Sequence, residues 1–151
     1  MAGKPKHLQA FLLGFILFLI PTAGRSATLL QIVLLDFKQV IWERPISPEE
    51  HFYLIHRNSI YDALVWEAFS VDPEGLIWLR RIKTTSPAVL EYYGLEDTSS
   101  DWIGLSRKIG RIPLIITSLG EVRLELGKEK VPLSALLPEG TLIEVKTHTS
   151  P

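Results

Sequence analysis

The sequence predicts an all-β protein: an antiparallel sandwich or small barrel of about nine strands, preceded by an N-terminal hydrophobic signal or anchor helix. Short segments rich in β-branched and aromatic residues recur along residues 28–147, and turn sequences such as Asp72-Pro73-Glu74-Gly75 separate them. Within several of these segments side chains alternate at a period of two, which is typical of strands. No segment is long enough for a helical crossover between parallel strands, so we expect antiparallel pairing.

The N-terminal segment has the parts of an export signal. Lys4 and Lys6 precede a run of 13 residues, Leu8 to Ile20, in which only Gln9 is polar, and Pro21 ends the run. Because the lysines stay on the cytoplasmic side, the following residues are expected outside the cytoplasm, in the periplasm or at the cell surface. The segment is either cleaved or kept as an anchor, and a kept segment would contact the membrane through residues 8–20.

These patterns divide the chain into a signal peptide or membrane anchor, a single β domain and a tail, at residues 1–27, 28–147 and 148–151. The strands are expected, in order, at 28–35, 40–46, 51–60, 64–71, 76–83, 112–118, 121–126, 129–133 and 141–147. Residues 84–111 are irregular, with one possible helical turn at 86–94 that Gly94 ends. Long loops are often functional, so residues 84–108 are a candidate rim of a binding site.

Composition excludes several classes of function. Sixteen basic and 17 acidic residues leave a net charge of -1, which gives no field to attract nucleic acid. The absence of cysteine excludes disulfides, thiolate catalysis and cysteine-ligated metals. His51 and His56 lie on opposite faces of one strand, which is a poor metal site. No glycine-rich phosphate loop is present, so we expect neither a metal nor a cofactor.

Glu67 is the most informative residue. Alternation places it on the same strand face as Val65 and Phe69, so its carboxylate is expected to be buried and to need a cation. The arginines on the neighbouring strands are candidate partners, either in a structural ion pair or in a site that binds a polar ligand. The candidate binding cluster comprises Glu67, Asn58, Ser59, Arg57, Arg80 and Arg81.

No residue is assigned a catalytic role. Neither G-x-S-x-G nor S-x-x-K occurs in a usable setting. Ser59 beside His56 or Glu67 would make an improvised catalytic group, and the simpler interpretation is an ordinary strand serine.

Short motifs give the chain a resemblance to a family. Asn58-Ser59-Ile60, Val65-x-Glu67-x-Phe69 and Leu133–Leu137 followed by Pro138-Glu139-Gly140-Thr141 resemble domain-of-unknown-function family 1850 over roughly residues 28–147. Members of that family typically have a His-Ser-Val group on one strand and a glutamate nine residues later on the next. Glu67 matches that pattern. Asn58 stands where the family has histidine, unless His56 substitutes for it, and Ala88-Val89-Leu90-Glu91 replaces the glycines of a loop.

The resemblance implies a small exported domain whose genes often accompany TRAP-type transporter components of the TAXI class. The first hypothesis is therefore a non-enzymatic, exported β-domain that binds a transporter subunit or a small solute. A small ligand-binding or hydrolytic domain that uses the cluster around Glu67 is an alternative. A structural envelope protein is the other alternative.

Overall fold

Two antiparallel sheets pack face to face in an open sandwich. The computed structural model describes residues 27–96, 101–118 and 120–150. The strands are β1 Thr28–Leu34, β2 Gln39–Pro45, β3 His51–Asn58, β4 Ala63–Val71, β5 Ile77–Thr84, β6 Ile103–Lys108, β7 Ile112–Ile115, β8 Val122–Leu126, β9 Glu129–Pro132 and β10 Leu142–Thr149. Two short helices, α1 Pro87–Tyr92 and α2 Leu133–Leu136, follow β5 and β9.

The strand order confirms the all-β, antiparallel prediction and selects the sandwich over the barrel. Sheet A has four strands in the order β2-β1-β10-β7, and sheet B has six in the order β6-β5-β4-β3-β8-β9. The predicted signal or anchor segment lies outside the described residues except for Ala27. No helix among the described residues is both long and apolar enough to cross a membrane.

The main core lies between the sheets. Leu30, Ile32, Ile143 and Val145 from sheet A meet residues of sheet B that include the stacked rings of Phe52 and Phe69, whose centroids are 5.2 Å apart. Full burial of one such side chain stabilises the fold by about 1.5–3 kcal/mol. A second, smaller cluster packs beneath α1 and consists of Ala63, Val65, Ile82, Val89 and Leu90.

The segment 84–111 is more regular than predicted. The helical turn is present as α1: the Ser86 side chain accepts a hydrogen bond from the Val89 amide, and Gly94 has a φ of 70° after the helix. Strand β6, however, was expected to be a loop. It lies at the edge of sheet B and is mostly exposed, with Gly104 and Ser106 in the strand, so its alternation is weak.

A side-chain clasp joins the two sheets along one side. Glu129, at the start of β9, accepts hydrogen bonds from Trp42 Nε1 at 2.8 Å and from Arg44 Nε at 2.8 Å, both on β2. The hydrogen bond from Trp42, followed by the contact with Arg44, holds the pKa of Glu129 below its ordinary value. Because β2 and β9 are the edge strands of different sheets, the clasp closes this side of the sandwich.

The two ends of the sandwich differ in character. The entry end, where the described chain begins at Ala27, also holds the turn around Gly75, whose carbonyl accepts a hydrogen bond from Thr147 Oγ1 at 2.5 Å. The far end holds the β1–β2 and β3–β4 turns, α1 and α2. The large apolar side chains exposed in the described residues lie at or toward this far end: Leu35, Phe37, Val40, Ile41, Ile60, Tyr61, Tyr92, Ile115, Leu136 and Leu142.

Candidate functional site

The carboxylate of Glu67 is buried, as the alternation predicts. Glu67 lies on β4 opposite Leu54 of β3 and Ile82 of β5, and only 8% of its surface is exposed. Leu54 belongs to the main core and Ile82 to the smaller cluster beneath α1. The carboxylate therefore lies at the boundary between the two apolar clusters, where an unpaired charge would be costly.

Histidine and tyrosine, rather than arginine, contact this carboxylate. His56 Nε2 lies 3.2 Å from Glu67 Oε2, and the Tyr93 hydroxyl donates to Glu67 Oε1 at 2.7 Å. The register explains the first contact, because His56 pairs with Val65, two residues before Glu67 on the same face. Tyr93 reaches Glu67 from the end of α1. The expectation that Arg57, Arg80 or Arg81 supplies a cation to Glu67 is therefore wrong.

Strand alternation explains why the arginines miss Glu67. Arg57 and Arg81 each sit one position from a residue of the Glu67 face, namely His56 and Ile82, so they lie on the outer face of sheet B. Arg57 donates to the Asp62 side chain at 3.1 Å, and Arg81 lies over the Trp102 ring at 5.3 Å.

Arg80 lies at an irregularity in the pairing of β5. The register of β5 shifts between Leu79 and Arg81. The Arg80 side chain donates to Ser70 Oγ at 2.9 Å and to Ser106 Oγ at 3.0 Å, and its guanidinium lies 5.1 Å from the centroid of the Trp78 ring. Arg80 and Arg81 thus belong to an aromatic and cationic layer on the outer face of sheet B, away from Glu67.

The hydroxyl of Tyr93 remains a hydrogen-bond donor over the physiological pH range. Burial, followed by the negative charge of Glu67, raises the pKa of Tyr93 far above its ordinary value. Its ring packs against both apolar clusters. Tyr93 therefore satisfies one carboxylate oxygen of Glu67 and also fastens the end of α1 to the sheet.

A cavity of about 280 Å³ opens beside His56 at the far end of the sandwich. The end of β3, with His56, Arg57 and Asn58, and the first residue of the turn after it, Ser59, form its polar wall. β7 and the residues after it form the opposite wall with Pro113, Leu114, Ile115 and Thr117. Val122 of β8, which pairs with His56, completes the lining. Three members of the predicted cluster, Arg57, Asn58 and Ser59, therefore meet here, and Glu67 stands behind His56.

Two local contacts shape this cavity. Asn58 Oδ1 accepts hydrogen bonds from the amides of Ile60 and Tyr61 at 3.0 and 3.1 Å, which fixes the turn after β3. Gly120 packs directly on Arg57, since a Cβ added at Gly120 would lie 2.8 Å from the Arg57 Cβ. The loop before β8 is thereby held against the end of β3.

The predicted rim at residues 84–108 does not line this cavity. Segment 56–59, segment 113–117 and Val122 line it instead. Within the described parts of 84–108, α1 packs over Val65 and Ile82 as a cover for the smaller core cluster. Across the described residues, no group of three or more potential metal ligands comes together.

The fold and the site define an antiparallel β-sandwich in which a buried glutamate, Glu67, contacts the partly buried His56 and Tyr93 beside a cavity with one polar and one apolar wall. Comparisons with protein-family models, with curated proteins and with solved structures find no match. The resemblance to domain-of-unknown-function family 1850 therefore stays a prediction, and the geometry carries the functional argument.

Proposed function

We propose that this chain is an exported, non-enzymatic β-domain that binds a small polar solute in the cavity beside His56. In this proposal it serves as an accessory to a TRAP-type transporter of the TAXI class. The observation that carries the binding function is the cavity itself, which combines a polar wall on β3 with an apolar wall on β7. Ligand sites usually combine a mainly apolar lining with a few placed polar groups.

The size of the cavity favours a small solute. Its volume of about 280 Å³ lies near the lower bound of ligand pockets, which is roughly 300 Å³. Glu67 stands behind the polar wall and contacts His56 Nε2 at 3.2 Å, so it holds the ring of His56 in place at the cavity. Export and the transporter association rest on residues 1–27 and on the family resemblance alone.

Isothermal titration with a panel of small solutes tests the binding function. A cavity-filling variant, Ser59→Phe, should abolish the binding that the unmodified protein shows. Ser47→Phe is the matched control, because Ser47 is exposed at the entry end and should leave binding unchanged. Binding that survives Ser59→Phe, or no binding by any solute, would contradict this assignment.

Affinity purification from membranes tests the transporter association. Recovery of transporter subunits with the unmodified protein, and their loss with a Glu67→Gln variant, would support a role for this site in the association. Equal recovery with both proteins would remove Glu67 as a determinant of the association, and recovery of no subunit would count against the accessory role.

A hydrolytic function is the second candidate, because His56 and Glu67 form an acid–base pair beside Ser59. It ranks lower, since no hydrogen bond in the described residues joins Ser59 to His56, as a serine nucleophile needs. Turnover of small esters that disappears in Ser59→Ala would reverse this ranking.

A further inference from the structure

Strand β7 has one open edge. It is the last strand of sheet A, and within the described residues β10 is the one strand that pairs with it. In an antiparallel ladder, alternate residues point both their N–H and their C=O towards the same neighbour, and the residues between them point both groups the other way. The outward-pointing groups of β7 therefore depend on which of its residues face β10.

Two hydrogen bonds determine that alternation. The Ile116 amide, directly after β7, donates to the Thr141 carbonyl at 2.9 Å, so Ile116 faces β10. Leu142, the partner of Ile115, instead accepts at its carbonyl from the Leu35 amide at 3.0 Å, so it faces β1. The N–H and C=O of Ile115 consequently point away from β10.

Pro113 lies two residues before Ile115, so its carbonyl points the same way. Proline fits such a position because it has no N–H to leave unpaired, and it is found on edge strands for that reason. The open edge of β7 therefore offers an acceptor at Pro113, and a donor and an acceptor at Ile115. The missing N–H at Pro113 also limits uncontrolled pairing with other strands.

The cavity beside His56 runs along this edge. Pro113, Leu114 and Ile115 all line it. Successive side chains of a strand point to opposite faces of the sheet, so a cavity that touches three in a row lies beside the backbone rather than over one face. Ile115 is also 54% exposed. A ligand in the cavity thus reaches the outward-pointing backbone groups of β7.

We infer that the solute is a short peptide, which binds in extended form as an added strand along β7. Its amides would donate to the carbonyls of Pro113 and Ile115, and one of its carbonyls would accept from the Ile115 N–H. Such pairing with a sheet edge is a recurring way to bind extended peptides. A cavity of about 280 Å³ beside a strand of four residues has room for a few peptide residues and not for the edge of a second sandwich. This inference rests on the proposed solute binding and adds the class of solute to it.

Amide hydrogen exchange in the full chain tests the edge before any ligand is added. The Ile115 amide should exchange rapidly, and the Ile116 amide, which is bonded to Thr141, about tenfold or more slowly. Slow exchange of the Ile115 amide in the free protein would overturn the inference, because the edge would already be paired.

A terminally blocked peptide, acetyl-Val-Thr-Val-amide, tests the binding mode by NMR titration. Its addition should slow the exchange of the Ile115 amide. The analogue in which every amide nitrogen is methylated keeps the side chains but donates no backbone hydrogen bond, so it should bind about tenfold or more weakly. Equal binding of the two peptides would refute backbone pairing and leave solute binding intact. If neither peptide binds, the inference fails; binding of other small solutes would then preserve the proposed function, and binding of none would count against both.

A proline substitution removes the donor from the protein side. Ile115→Pro repeats at position 115 what Pro113 already provides, so pairing with β10 is kept, and it should weaken peptide binding about tenfold or more. Glu43→Pro is the matched control, because Glu43 lies two residues before Pro45 on β2, the other edge strand of sheet A, and should bind the peptide as the unmodified protein does. Equal affinities of Ile115→Pro and Glu43→Pro would contradict the role of the Ile115 N–H. If Ile115→Pro does not fold, the exchange of the Ile115 amide in the unmodified protein, free and with peptide, decides the question.

Discussion

Removal of the Tyr93 hydroxyl tests the arrangement around Glu67 most directly. Tyr93→Phe keeps the ring against both apolar clusters and deletes the 2.7 Å hydrogen bond to Glu67 Oε1. A hydrogen bond to a charged group contributes about 1.5–3 kcal/mol, and its loss leaves an oxygen of a buried carboxylate unsatisfied. We expect a loss of about 2 kcal/mol in the free energy of unfolding, which for this domain lowers Tm by roughly 6–8 °C.

Urea unfolding followed by circular dichroism measures this loss. Tyr92→Phe is the matched control, since Tyr92 is the adjacent tyrosine, is 76% exposed and should change stability by less than about 0.5 kcal/mol. If the two variants are equally stable, the hydrogen bond does not support Glu67, and the account of the buried group fails.

Three further predictions concern pH and packing. Because burial raises the pKa of Tyr93, its contribution to stability is complete below its ordinary pKa of 10.0 and is lost as pH rises above that value. Alkaline unfolding should therefore be steeper in the unmodified protein than in Tyr93→Phe. Because hydrogen bonds lower the pKa of Glu129, its contribution is present above the ordinary value of 4.5 and is lost as pH falls through the lowered pKa. Acid unfolding of Glu129→Gln should accordingly show a smaller dependence on pH. Gly120→Ala should lower stability by about 1–3 kcal/mol and weaken solute binding, since the new methyl group meets Arg57.

Controls for these predictions come from matched positions. Gly104→Ala should lower the free energy of unfolding much less than Gly120→Ala, because no atom lies within 4 Å of a Cβ added at Gly104. Glu91→Gln alters an exposed carboxylate outside the clasp and should keep the acid dependence of the unmodified protein. If Gly120→Ala is as stable as Gly104→Ala, the close packing of Gly120 on Arg57 does not limit the residue at position 120. If Glu129→Gln and Glu91→Gln have equal acid unfolding profiles, the clasp at Glu129 does not contribute to stability. If the alkaline unfolding curves of the unmodified protein and Tyr93→Phe are parallel, the raised pKa of Tyr93 does not contribute to stability.

Alternation along the strands predicted much of the fold and the burial of Glu67. It succeeded because a period of two assigns each side chain to a face without knowledge of the neighbouring strands. Strand β6 was missed because only Ile103 and Leu105 carry its apolar signal and both are half-buried.

The partners of Glu67 depend on tertiary structure. Alternation does place His56 on the face of Phe52 and Leu54, and that signal could have identified it as a partner. Tyr93, by contrast, lies 26 residues from Glu67 and reaches it only because α1 folds back over the sheet. No local pattern reports that placement, so arginines close in sequence were preferred to a tyrosine that is close only in space.

The separation of the entry end from the cavity has a consequence for orientation. Strand β1 leaves the entry end and runs seven residues to the far end, a distance of about 23 Å at the usual rise per residue. The described chain therefore enters the sandwich at the end opposite to the cavity. A partner fused or attached before Ala27 would accordingly lie at the end of the domain away from His56 and the cavity, which leaves the cavity free for binding measurements on such fusions.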